Sequence, residues 1–223
     1  MERFVINGGR PLSGTMVPAG NKNAALPLLA ACLLTNEPVI LHNVPAIKDV
    51  LSMRKLLESL GVSIRELNSH STLEIHAKDI YPKDLDPELC RNIRASILLA
   101  GPMIARFGEL HLPPPGGDVI GRRRVDTHIL ALNELGTSTN FDGTFHFKSD
   151  ALIGADILLD EASVTATENT IMASVLAKGE TIIRNAASEP HIQELCFFLN
   201  KLGGNIRNIG SNTLHITGVS SLS

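Results

Sequence analysis

Apolar and polar positions fall into a pattern that occurs three times along the chain. Ala24 to Leu34, Ala95 to Arg106 and Thr170 to Leu176 are small, apolar stretches with almost no charge until their ends. They read as helices that are hydrophobic on all sides, which places them inside a domain rather than on its surface. Each is followed by a short strand pattern: Pro38 to Leu41, Glu109 to Leu112 and Glu180 to Ile183. A turn or loop comes next, and then an amphipathic helix closed by a matching signature: Leu57-Glu58-Ser59-Leu60-Gly61, Leu132-Asn133-Glu134-Leu135-Gly136 and Leu199-Asn200-Lys201-Leu202-Gly203. The final glycine suits the left-handed backbone position just past a helix C-terminus. Two strands around a turn complete each unit: Ser63 to Glu66 with Thr72 to His76, Thr137 to Asn140 with Thr144 to Lys148, and Asn205 to Asn208 with Thr213 to Thr217.

Gly61, Gly136 and Gly203 stand 75 and 67 residues apart. The unit is therefore a βαβαββ module of about seventy residues, too long for the common solenoid repeats and suited to a closed three-fold assembly. Three inner helices would be wrapped by outer helices and sheets, an inverted arrangement relative to a barrel with its strands inside. Residues 1–20 stand apart from this scheme and read as two short strands, Arg3 to Ile6 and Gly14 to Pro18, around a Gly-Gly-Arg-Pro turn. Between strand and outer helix, units one and three carry only brief connections, Asn43 to Ala46 and Asn185 to Pro190, whereas unit two holds PPPGGDVIGRRRVD. A loop elaborated on one copy of a symmetric scaffold is where function tends to be added.

Composition narrows the class. With 223 residues, 43% of them hydrophobic, the chain can bury a substantial core. A formal net charge of -3 argues against a general nucleic-acid or membrane-surface binder. Cys32, Cys90 and Cys196 form an odd set without Cys-x-x-Cys spacing, which points to buried, reduced thiols in a cytosolic protein. The longest apolar run, Ala24 to Leu34, falls short of the ~20 residues that span a bilayer, and no basic stretch ahead of an apolar core marks a signal peptide. A soluble, cytoplasmic chain is expected.

The candidate chemistry centres on Pro113 to His128. Three prolines and two glycines set a rigid turn; Asp118 follows, and then Arg122, Arg123 and Arg124. Two readings stay open: a solvated basic loop, or an anion site in which glycines let backbone N–H groups approach an oxyanion and arginines clamp it. Asp118 could pair with those arginines or transfer a proton; neighbouring cations favour its ionised form, whereas a bound phosphate dianion would favour the acid. Lys22 is either an exposed loop cation or part of an anion site, since a lysine at the positive end of a helix is disfavoured without an anion there. Asn23 can cap the same helix. Arg94 leads into the second apolar helix, with a surface ion pair as its alternative. Ala162 to Asn169, rich in hydroxyls, reads mainly as a cap for the third. Asp126 and His128, two apart, have neither same-face helical spacing nor metal spacing. In a pseudo-symmetric domain the three inner-helix N-termini converge on one end, giving Lys22 and Arg94 a common focus.

Taken together, Lys22-Asn23 before an Ala-rich helix, Arg94-Ala95-Ser96, the Pro-x-Gly-Gly-x-x-Ile-Gly-x-Arg loop, Asp126 with His128, and Ser163-Val-x-Ala-Thr resemble the bacterial UDP-N-acetylglucosamine enolpyruvyl transferase (1-carboxyvinyltransferase) family over essentially the whole chain. The resemblance implies a mixed α/β fold, an inside-out α/β barrel of three βαβαββ repeats forming one domain of a two-domain enolpyruvyl transferase. Residues 21–218 would be that domain, 1–20 strands belonging to the missing second domain, and 219–223 a truncated crossover. It implies transfer of enolpyruvyl from phosphoenolpyruvate to the 3'-hydroxyl of UDP-N-acetylglucosamine, the first committed step of peptidoglycan synthesis. The reaction would run by addition and elimination through a tetrahedral intermediate, without metal or organic cofactor.

By the same resemblance, Lys22, Arg94 and Arg123 would hold phosphoenolpyruvate, and Asn23 would contact the sugar. Uridine and diphosphate would lie along Arg123, Arg124, Val125, Asp126 and Thr127 and near Ser163 and Val164. Asp118 takes the place of the family's usual cysteine general acid, so the chain should resist the epoxide fosfomycin; Arg124 replaces a common proline. Family members are about twice as long, so this chain should be an incomplete half with negligible turnover. The alternatives are a non-catalytic nucleotide-sugar-binding half-domain and a shikimate-type enolpyruvyl transferase. No nucleic-acid or membrane partner is expected, while unpaired N-terminal strands could associate with a second copy.

Overall fold

The computed structural model describes residues 3–67, 71–81, 84–117 and 124–223. Its first helix, α1 (Lys22–Ala31), runs into a 3-10 turn at Cys32–Leu34 and is followed by strand β1 (Val39–Leu41), helix α2 (Lys48–Ser59) and strands β2 (Ser63–Leu67) and β3 (Thr72–His76). Next come the short helix α3 (Pro87–Asn92), a 3-10 segment at Arg94–Leu99, α4 (Ala100–Phe107), β4 (Glu109–Leu112), α5 (Asp126–Glu134), β5 (Ser138–Phe141) and β6 (Phe145–Lys148). The remainder comprises β7 (Asp156–Leu158), α6 (Val164–Ser174), β8 (Glu180–Arg184), α7 (Pro190–Lys201), β9 (Asn205–Arg207) and β10 (Thr213–Thr217).

These strands form three sheets, ordered β1-β3-β2, β4-β6-β5 and β7-β8-β10-β9. In each, the strand ahead of the amphipathic helix pairs antiparallel with the last strand of its group, which pairs antiparallel with the middle one. Among the described residues, only the third sheet gains a further strand, β7, parallel to β8.

The apolar helices meet in the middle. α4 packs on α6 and on the Cys32–Leu34 turn, while the Arg94–Leu99 segment lies against α1 and α6. Leu29, Ala30, Leu33, Leu99, Ala100, Met103, Ile171, Met172 and Ala173 are almost wholly buried there. The amphipathic helices lie outside, α2 against α1, α5 against α6 and α7 against both α1 and α6. Their stop signal is the anticipated one: Gly61, Gly136 and Gly203 take φ of 98°, 97° and 96°, a backbone conformation that costs glycine little.

Three local expectations need correction. The second apolar helix is broken: Arg94 to Leu99 wind as a 3-10 helix before α4 begins. The third starts earlier than its apolar run, at Val164, because Ser163 caps it by accepting from the Ala166 N–H at 3.4 Å. Residues 3–20 form no strand, and Phe4, Val5, Ile6, Leu12, Met16 and Val17 are all at least 80% exposed. Strand hydrogen bonding needs a partner edge, and among the described residues none is paired to this segment. No helix of the described residues is long and apolar enough to cross a membrane.

Candidate functional site

The starts of the three inner helices border one cleft of about 400 Å³. Lys22, Asn23 and Leu26 come from α1, Lys48 and Asp49 from the first turn of α2, and Asn92 to Ala95 from the entry to the second inner helix; Gly117 and Thr165 close the rim. Lys22, Asn23 and Arg94, far apart in sequence, are thereby brought together. Asn21, not Asn23, caps α1: its Oδ1 accepts from the N–H of Asn23 at 2.7 Å and of Ala24 at 3.3 Å. Lys22 and Asn23 are thus first-turn helical residues facing the cleft. Pro27, one turn on, lacks the N–H that would otherwise take up the Asn23 carbonyl.

Among the described residues, cations dominate this mouth, with Asp49 as the one counter-charge. Lys22 Nζ lies 3.0 Å from Asp49 Oδ2, and both side chains are substantially exposed. Arg94, half-buried, donates to the Arg124 carbonyl at 3.0 Å and reaches the Pro115 carbonyl at 3.5 Å, tying both ends of the proline-glycine loop to the inner helix.

Of the two readings of the loop, the anion site is not served by the backbone donors of Gly116 and Gly117. Gly116 N–H donates to the Cys90 carbonyl at 3.1 Å and Gly117 N–H to the Arg91 carbonyl at 2.9 Å, both at the end of α3. These donors are committed to the protein and are not offered to an oxyanion. Glycine is required for close approach: a Cβ on Gly116 would sit 1.8 Å from the Arg91 oxygen, and Gly117 has φ of 89°. Asp118, Arg122 and Arg123 lie outside the described residues.

On the far side, exposed Arg124 donates through Nε to Asp126 Oδ2 at 2.6 Å, which raises the guanidinium pKa by that hydrogen bond. Val125 is half-buried, and buried Thr127 donates to Asp160 Oδ1 at 2.5 Å, fastening α5 to the turn that leads into Ser163 and Val164. The segment 124–127 and the start of α6 are therefore neighbours.

Sequence reasoning read His128 only as part of a family motif and not as a metal ligand, and gave Thr165 and Asn169 no role beyond the helix cap. His128 is only 2% exposed, with Nε2 at 3.1 Å from Thr165 Oγ1 and Nδ1 at 2.9 Å from Asn169 Nδ2. Burial, assisted by the Arg94 charge, pushes its pKa down to about 3, so the ring is neutral. Also missed was Glu168 on α6, 1% exposed, whose Oε1 has no hydrogen-bond partner among the described residues. Burial first, and Glu189 second, push its pKa up to about 8. The available signal was a polar pair, Glu168-Asn169, placed in an otherwise apolar helix; reading the segment as a cap absorbed it. The three cysteines are free and buried, and burial holds Cys90 and Cys196 up to about 12, leaving them unreactive.

A family model described as EPSP synthase (3-phosphoshikimate 1-carboxyvinyltransferase) matches residues 6–223, and the chain belongs to that family. Among curated relatives, proteins named UDP-N-acetylglucosamine 1-carboxyvinyltransferase from Bradyrhizobium diazoefficiens and Treponema denticola are 55% and 53% identical over 99% and 100% of this chain. The chain spans about half the length of these relatives, 51% and 52%. The enolpyruvyl transferase NikO from Streptomyces tendae superposes with a TM-score of 0.82 at 21% identity, over 96% of this chain and 51% of that one. EPSP synthase from Acinetobacter baumannii does so with a TM-score of 0.74 at 18% identity, over 94% and 48%. At those identities the likeness concerns the fold.

Proposed function

We propose that this chain contributes to the transfer of enolpyruvyl from phosphoenolpyruvate to the 3'-hydroxyl of UDP-N-acetylglucosamine. The observation that carries the reading is the shared cleft: Lys22, Asn23 and Arg94 meet at the starts of inner helices, where positive helix ends and fixed cations suit a multiply anionic ligand. Curated relatives named for the nucleotide-sugar enzyme, at more than half identity, favour that acceptor over shikimate 3-phosphate.

On this reading Lys22 and Arg94, with Arg123, hold phosphoenolpyruvate, and Asn23 contacts the sugar. The strip Arg124, Val125, Asp126 and Thr127, facing Ser163 and Val164, receives uridine and diphosphate. The sugar hydroxyl adds to C2 of phosphoenolpyruvate, its O–H proton passing to a base outside this chain, while Asp118 protonates C3; the tetrahedral adduct then expels phosphate as the C3 proton returns to Asp118, restoring the enol ether. The sheets, alike in strand order, are taken as three βαβαββ copies of an inside-out barrel spanning residues 21–218. Residues 3–20, which form no strand here, are taken as a segment that would pair only within a further domain. A transferase about twice this length brings more groups to the same site, so the 223 residues alone should bind substrates and turn over negligibly.

Isothermal calorimetry tests the assignment. The wild-type chain should bind UDP-N-acetylglucosamine and phosphoenolpyruvate, and Arg94→Ala should weaken phosphoenolpyruvate about tenfold or more, the worth of one hydrogen bond to a charged group. Failure of the wild-type chain to bind either ligand would reject it.

A further inference from the structure

Thr165 lies on the rim of the cleft, and its hydroxyl sits at the end of a hydrogen-bond relay whose direction can be worked out from the buried end. Gly101 N–H donates to Asn169 Oδ1 at 2.9 Å, and Asn169 Nδ2 donates to the Ile97 carbonyl at 2.8 Å. The reverse amide orientation would set donor against donor and acceptor against acceptor, so this side chain has one arrangement. Its second Nδ2 hydrogen faces His128 Nδ1 at 2.9 Å, which makes that nitrogen the acceptor. In the neutral ring the proton then resides on Nε2, which donates to Thr165 Oγ1 at 3.1 Å.

Thr165 is thus an acceptor toward the protein, and its own O–H is left to donate elsewhere. Thr167 and Thr170 on the same helix turn their hydroxyls back to the carbonyls of Ser163 and Ala166, four residues earlier. Thr165 stands in the first turn after the Ser163 cap, where no helical carbonyl lies four residues behind it. Among the described residues no acceptor takes its hydrogen, and it shares the cleft with Lys22, Lys48 and Arg94.

We infer that Thr165 is a substrate-binding residue of this cleft, donating its O–H to an anionic phosphate oxygen, with His128 and Asn169 as the positioning residues that hold it in the donating state. The relay is a polarity filter. A ligand group that takes the Thr165 hydrogen must accept, which an anionic phosphate oxygen does more strongly than a neutral substrate hydroxyl. The phosphate could belong to phosphoenolpyruvate or to the diphosphate of the nucleotide sugar. The inference rests on the proposed function for the ligands and on the hydrogen-bond geometry for the residue.

The test compares the wild-type chain with Thr165→Val and Thr165→Ser by calorimetry against phosphoenolpyruvate and UDP-N-acetylglucosamine separately, with thermal unfolding of each variant. Val keeps the shape but removes the hydroxyl; it should weaken at least one ligand about tenfold, and Ser should restore it. Loss confined to one ligand identifies whose phosphate is bound. Nitrogen-15 spectra of the imidazole provide a readout that does not depend on the substitutions: His128 should show Nε2 protonated and Nδ1 bare from pH 5 to 8. Undiminished binding of both ligands by a folded Thr165→Val chain, or a proton on Nδ1, would overturn the inference. A wild-type chain that binds neither ligand would instead count against the proposed function, with the tautomer still deciding the relay.

Discussion

Lys22 is the clearest case of a residue whose role depends on its company. A lysine in the first turn of α1 opposes the helix dipole, and here Asp49 from α2 relieves that opposition at 3.0 Å. The pair is largely exposed, so it contributes at most about 1 kcal/mol. An anionic ligand entering the cleft meets a cation that already has a partner and a carboxylate that repels it. Asp49→Asn should therefore tighten phosphoenolpyruvate binding by up to about fivefold in calorimetry, with little change in thermal stability. Weaker binding would show that Asp49 instead holds Lys22 in its binding position.

Among the elements, the proline-glycine loop shows most plainly what a sequence can and cannot disclose. Its rigidity and its setting beside basic residues were legible, because Pro113 to Gly117 admit few conformations. What the glycines are for was not, because that depends on α3, a helix whose contact with the loop has no sequence signature. Gly116→Ala should drive the loop off α3, since its Cβ would overlap the Arg91 carbonyl at 1.8 Å. A loss of about 2 kcal/mol or more in urea unfolding is expected, against no loss for Gly8→Ala, where the added carbon meets nothing within 4 Å. The same contrast explains the rest of the fold. The helix-ending glycines and strands such as Thr72–His76 and Thr213–Thr217 follow from local pattern. β7 exists only by pairing with β8, and α3 is a six-residue helix, too short for an amphipathic period to declare itself. Within the cleft, Lys22 and Arg94 stood out as charges at the entries to apolar helices. His128 and Asn169 did not, since only the packing of α5 on α6 makes them partners.

For the molecule as a whole, those buried polar groups set how stability responds to pH, and they act in opposite directions. Glu168, with a pKa near 8 in the folded chain and an ordinary carboxyl value near 4.5 when unfolded, keeps a proton that the unfolded chain gives up. Its contribution is complete below pH 4.5 and is lost as pH rises to 8, at up to about 1.4 kcal/mol per pH unit. His128, near 3 when folded and 6.5 when unfolded, refuses a proton that the unfolded chain accepts. Its contribution is complete above pH 6.5 and is lost as pH falls to 3. Between 4.5 and 6.5 the two slopes cancel, so these groups together predict a plateau of stability there, with a fall on each side. Urea unfolding from pH 3.5 to 8.5 should show that profile, and Glu168→Gln should flatten the alkaline fall and replace the plateau with an acid fall that starts near pH 6.5. A wild-type chain equally stable at pH 6.5 and 8 would mean that Glu168 finds a partner that lowers its pKa, and would remove this account of why a carboxyl can reside in the middle of α6.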